Sequence, residues 1–248
     1  MKKNVPCLLA IAASLMITST VFSQTKEKIG QANAKGKVVF LAVTDGKNKL
    51  PETMQLAALA QKKYPKSEVV SLDKSDKANA ALVTKYGLAG TPAPLILVLA
   101  ANGVAGGGYA LKQATPENLV ELIPTKNQAK ALLAFSEGKP AFIVLYKKSM
   151  KDKAKAVEEC NKAVAGLHGK ASVVDVDLED KTEAGFLSLL KPEMTATTTH
   201  ILVFNAKGQF TDEYKTSAQA SALITSSAKV IKSSCCPAGS GSSGCAPK

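Results

Sequence analysis

The chain has 248 residues, 46% of them apolar and 21% charged, which is enough core-forming material to exclude wholesale disorder and to build one or two domains. All of its 32 basic side chains are lysines, set against 20 acidic ones for a net charge of +12. Without one guanidinium fork to read bases, and with only His168 and His200 as imidazoles, it suits neither specific nucleic-acid recognition nor a histidine-rich metal site.

Lys2 and Lys3 precede an apolar run over residues 5–21, and Ser23 follows at a position open to cleavage. This is the layout of a secretory signal, residues 1–23, with export to the periplasm or beyond as its consequence. The alternative is a membrane anchor, but the run is near the short end of the spanning range. No later segment is long and apolar enough to span a membrane, so none is expected after cleavage. Cys7 would leave with the signal. The lysines are scattered, as on a solvated surface.

Residues 24–36 read as a linker. Residues 38–43 form a short apolar, β-branched run, the pattern of a strand covered on both faces. Pro51 suits the first turn of a helix, and Leu56, Leu59, Ala60 and Tyr64 fall on one helical face. A strand over 69–72 and a helix over 77–86 follow, the latter with Gly87 as terminator. Residues 95–99 form a third strand, Asn102-Gly103 a hairpin turn, and the stretch to Tyr109 a fourth strand. Thr115-Pro116 caps a last helix. Gly106-Gly107-Gly108 opens no helix and so lacks the setting of a phosphate cradle.

The second half repeats the first. Lys66-Ser67-Glu68-Val69-Val70-Ser71-Leu72-Asp73 aligns with Lys170-Ala171-Ser172-Val173-Val174-Asp175-Val176-Asp177, and Ile96-Leu97-Val98 with Ile201-Leu202-Val203. Gly103 and Tyr109 align with Gly208 and Tyr214. Collinear matches at nearly constant offset define two copies of one β-α-β-α-β-β-α unit. The expected division is a first domain over 37–125, a connecting helix or linker over 126–138, a second domain over 139–232 and a tail over 233–248.

Cys160 shares a helical stripe with Val157, Val164 and Leu167, the place of a small buried hydrophobe. Cys235, Cys236 and Cys245 lie in a Gly/Ser/Pro-rich tail with no packing reason to be there, a composition that reads as a flexible extension. As thiolates they could wrap a soft ion such as Cu(I), Zn(II) or Hg(II). In an oxidising compartment they could instead form a disulfide or pair with a partner, or they could have no specific role. Neither histidine has a cysteine or carboxylate pattern around it that suggests a triad or ligand set.

The order of elements, with Tyr86-Gly87-Leu88-Ala89-Gly90-Thr91-Pro92-Ala93-Pro94 before a strand and Asn102-Gly103 after it, resembles the thioredoxin fold. The resemblance implies an α/β protein of two tandem thioredoxin-like domains, each a central mixed sheet flanked by helices, and a tail. It implies a cis-proline at Pro94, in a loop that in this family lines a peptide-binding groove; a purely structural turn is the other reading. The family's Cys-x-x-Cys is missing after the first strand of either copy, where Thr44-Asp45-Gly46 and Lys147-Lys148-Ser149-Met150 stand, and Thr199 replaces the proline in the second. The expectation is therefore a redox-inactive binding or scaffold module of the cell envelope, with an envelope protein or peptide as partner and no catalytic or cofactor-binding residues. The alternative is a soft-metal or thiol-redox protein acting through its tail.

Overall fold

The computed structural model describes residues 24–46, 49–216 and 218–231. The expected signal (1–23) and the three tail cysteines lie outside them. No helix among the described residues is long and apolar enough to cross a membrane.

The first sheet contains β1 (Val38–Thr44), β2 (Ser67–Asp73), β3 (Leu95–Leu99) and β4 (Ala105–Ala110) in the order β2-β1-β3-β4. β2 runs parallel to β1, while β3 and β4 are each antiparallel to their inner neighbour. The parallel pair requires a crossover, and α2 (Leu50–Lys63) supplies it. Every residue of β1 is buried because helices cover both faces of the sheet. Phe40 points into the layer under α2 and α4 (Pro116–Glu121), whereas Leu41 points under α1 (Gln24–Ala34) and α3 (Ala80–Lys85).

The second sheet repeats this with β5 (Ala141–Tyr146), β6 (Ser172–Asp177), β7 (His200–Phe204) and β8 (Phe210–Lys215) in the order β6-β5-β7-β8. α6 (Lys153–Gly166) and α8 (Ala220–Ser227) cover one face, and α5 (Lys126–Ser136) and α7 (Ala184–Leu190) the other. Strand order, strand sense and helix placement are those of the thioredoxin-like fold, and the chain carries it twice.

Two details correct the sequence expectations, at residues 24–36 and on α2. Residues 24–36 are not a plain linker: α1 buries Ile29 and Ala32 on the first sheet. With one large apolar residue in eleven, its period could not show in the sequence. The connecting helix expected over 126–138 is α5, and it packs Ala131 and Phe135 into the second domain as α1 packs into the first. On α2 the buried line is Thr53, Ala57 and Ala60, while Leu59 is 42% exposed. Small side chains on that face let the helix settle close to the sheet, which turns the face away from Leu59.

Two close contacts fix the junction of the halves. The segment after α4 crosses β4 so tightly that a Cβ on Gly106 would lie 2.5 Å from the Leu122 carbonyl oxygen and 2.6 Å from the Pro124 ring. The glycine run thus serves the crossing of two chain segments. α5 then packs Ala129, Leu132 and Leu133 on Ala100 and Val104 of the first domain. Asn102 Nδ2 donates to the Ala129 carbonyl at 2.8 Å, so the predicted turn residue also anchors the second domain.

Candidate functional site

The second domain has an open apolar cleft of about 620 Å³ between α5, α7 and the β7–β8 hairpin. Its wall is a row of three rings, with Phe135–Phe204 centroids 5.8 Å apart and Phe204–Phe210 centroids 5.7 Å apart, the second pair nearly edge-to-face. Leu132 and Leu189 extend this surface, and both Phe210 (50%) and Leu189 (67%) remain well exposed. Large apolar side chains left in water beside a concavity mark a binding surface.

Matched positions explain why the first domain has no equal. Where the second has Phe135, Leu132 and Phe210, the first has Asn33, Gly30 and Ala105. In each copy the helix residue abuts the glycine of the strand–strand turn. A Cβ on Gly208 would meet the Phe135 ring at 3.2 Å, and one on Gly103 would meet Asn33 Nδ2 at 2.7 Å. At the end of α3, Tyr86 reaches across this face and its hydroxyl donates to the Gly103 carbonyl at 3.3 Å. The matching residue of the second domain is Leu190, which is too short to do so. Lys191 then adopts a left-handed conformation (φ 49°) where the first domain has Gly87, and Pro192 carries the chain along the cleft.

The rim beside β8 is charged. Lys215 pairs with Glu193 at 3.2 Å. His200, 4% exposed, has Nδ1 2.7 Å from Glu213 Oε1. The sequence reading found no partner for this histidine because Glu213 lies on the neighbouring strand, opposite Leu202. Before α7, the buried Glu183 carboxylate accepts from the Thr125 hydroxyl and from the Asn127 N–H at 3.1 Å. It thereby holds the first turn of α5, where a negative charge is favourable.

The loops where this fold family carries its thiols hold other chemistry here. In the first domain, Asp73 accepts from the Ser75 hydroxyl at 2.7 Å and from the Gly46 N–H at 2.9 Å, which keep its carboxyl below the usual range. In the second, Met150 is buried and Asp152 is bound to Thr199. The Ala93–Pro94 peptide is cis. Pro94, half-buried, immediately precedes β3, and its carbonyl accepts from the Leu111 N–H at 3.0 Å; Thr199 makes the same bond with the Thr216 N–H at 2.9 Å. Pro94 is in the other domain from the cleft and does not line it.

Cys160 is fully buried among Phe142, Val144, Ile201 and Val203. Burial pushes its thiol pKa up to about 12, with the negative charges of Asp175 and Glu159 adding to the effect. That is a structural, unreactive thiol. Among the described residues no cluster of histidine, cysteine or carboxylate side chains is placed to hold a metal ion.

No protein-family model and no curated protein matches the chain. Solved structures do. ERdj5 form II matches at 17% identity with TM-score 0.30, over 77% of this chain and 25% of that one. The first two thioredoxin domains of Naumovozyma dairenensis Eps1p match at 8% identity with TM-score 0.31, over 82% and 95%. Human ERp44 form II matches at 13% identity with TM-score 0.35, over 88% and 59%. The chain thus spans a quarter of the length of ERdj5. Within each half, the strand order and the parallel and antiparallel pairings are those of the thioredoxin-like fold.

Proposed function

We propose that the chain is an exported, non-catalytic binding protein whose second domain holds an apolar segment of another polypeptide in the α5–α7 cleft, the first domain serving as its support. The observation that carries this reading is the phenylalanine row of the cleft, which ends in a half-exposed Phe210 on a sheet edge. Aromatic side chains at the centre of an interface contribute most of its affinity, and a charged rim around them sets orientation more than strength. The missing Cys-x-x-Cys in both copies supports binding over catalysis, and the signal-like residues 1–23 support export.

Fluorescence anisotropy with a labelled, cysteine-free peptide of leucine and phenylalanine, against a glycine–serine peptide of equal length, tests the cleft. The apolar peptide should bind, and Phe210→Ala or Leu189→Ala should weaken it by about tenfold, the effect of roughly 1.4 kcal/mol. Both side chains are well exposed, so thermal unfolding of the variants should match the native chain. Equal affinity for the two peptides, or affinity indifferent to both substitutions, would overturn the reading.

A further inference from the structure

β8 is the outer strand of the second sheet: among the described residues it pairs with β7 alone. The Thr216 N–H donates to the Thr199 carbonyl at 2.9 Å, and backbone bonding alternates along an antiparallel pair. Tyr214 and Asp212, opposite Ile201 and Val203, therefore turn their N–H and C=O groups toward β7. Lys215 and Glu213, opposite His200 and Leu202, turn theirs to the outer edge. The same alternation sorts the side chains. Glu213 and Lys215 line the cleft, while Tyr214 lies on the α8 face with its hydroxyl 2.8 Å from Ser226 Oγ. Such an edge is a template for one more strand, and the order Glu213-Tyr214-Lys215 is complementary in charge to its own reverse.

We propose that two copies of the chain pair through this edge, β8 against β8, antiparallel about a two-fold axis at Tyr214. In this register Glu213 stands opposite the partner's Lys215, and Lys215 opposite the partner's Glu213. Each such pair exchanges both backbone bonds and sets opposite charges side by side on the cleft face. Moving the axis to Asp212, Glu213 or Lys215 would bring like charges face to face, so the charge order admits one register and penalises its neighbours. Glu213 keeps His200 Nδ1 at 2.7 Å on its inner side. Lys215 gives up only its exposed pair with Glu193, an interaction of little worth in water. The first domain has Gly108 and Ala110 at the matching positions, with no charge to fix a register and glycine to weaken the strand. The two four-stranded sheets become one of eight strands, with both clefts opening on the same face and the partner's Lys215 added to the rim of each. This pairing is independent of what the cleft holds.

The test is sedimentation velocity on the full chain, kept reduced so that no disulfide joins copies. The native chain should show a monomer–dimer equilibrium that follows protein concentration. Lys215→Glu sets two carboxylates together at each of the two symmetric sites, and should weaken dimerisation by at least about tenfold. Lys215 is well exposed, so this variant should keep the native circular dichroism. Glu213→Lys sets two ammonium groups together instead and should weaken dimerisation likewise. An equimolar mixture of the two variants should recover the dimer, because every pair across the axis is then opposite in charge. A chain monomeric at every concentration, or a dimer indifferent to Lys215→Glu, would overturn the proposal. So would a mixture of the two folded variants that stays monomeric.

Discussion

Asp152 accepts two hydrogen bonds from Thr199, from the backbone N–H at 3.0 Å and from the hydroxyl at 2.8 Å. Thr199 stands where Pro94 stands in the first domain, and it is fully buried. A proline has no N–H and needs no such partner. The second copy, with threonine in place of the proline, satisfies the buried donor with a carboxylate from the loop after β5. That loop is the one that would carry a thiol in a catalytic relative of the fold, and here it is committed to holding its neighbour in place.

Removing that carboxylate should be costly. Asp152→Ala leaves the buried Thr199 N–H without an acceptor and the hydroxyl with only the Met150 sulfur at 3.9 Å, and should destabilise the second domain by about 1–3 kcal/mol. The measurement is the urea midpoint at unchanged m-value. Asp152→Asn, which keeps acceptor capacity, should lose less. A native midpoint for the alanine variant would show that the two bonds do not hold the loop.

The crossing at the domain junction is equally exposed to test. Gly106→Ala puts a methyl group 2.5 Å from the Leu122 carbonyl oxygen, so strand and crossing segment must separate, at a cost of roughly 1–3 kcal/mol. Gly90→Ala is the control, because nothing lies within 4 Å of its would-be Cβ and its φ is not positive. Differential scanning calorimetry should show a lowered transition for the first variant alone. Equal transitions would mean that the crossing is loose.

Cys160 gives a pH dependence with a definite sign. Folding raises its thiol pKa to about 12, so the folded state disfavours the thiolate relative to the unfolded chain. The contribution is fully present below the unfolded thiol range near pH 8.5, and is lost as pH rises from there toward the folded value. At pH 8, with Cys235→Ser, Cys236→Ser and Cys245→Ser in place, a thiol reagent should leave Cys160 untouched until denaturant is added. The variant Cys160→Ala should flatten the alkaline loss of stability. Rapid labelling of the native chain at pH 8 would contradict the burial.

Much of the fold could be read in advance because its signals are local or repeated. The short apolar runs marked β1, β3, β5 and β7, Thr115 and Pro116 marked the start of α4, and the offset between Val69-Val70 and Val173-Val174 gave the duplication. α1 escaped because its buried face is two residues wide. The sequence also put Leu59 inside and left His200 without a partner; in both cases the deciding contact comes from another element. The cleft escaped entirely. Its residues are ordinary core formers on four separate elements, and in a linear reading Phe135, Phe204 and Phe210 look like any other buried ring.

What the chain settles by its own order is the class and the duplication, since periodicity, caps and the absence of Cys-x-x-Cys are properties of neighbouring residues. What only the tertiary structure decides is which surface is left open. Tyr86 closes one face of the first domain by reaching Gly103, and Leu190 is too short to do the same in the second. Phe135, Phe204 and Phe210 are brought together there, but too few other side chains cover them. A binding surface of this kind is a packing deficit, and a deficit exists only once the elements that fail to fill it have met.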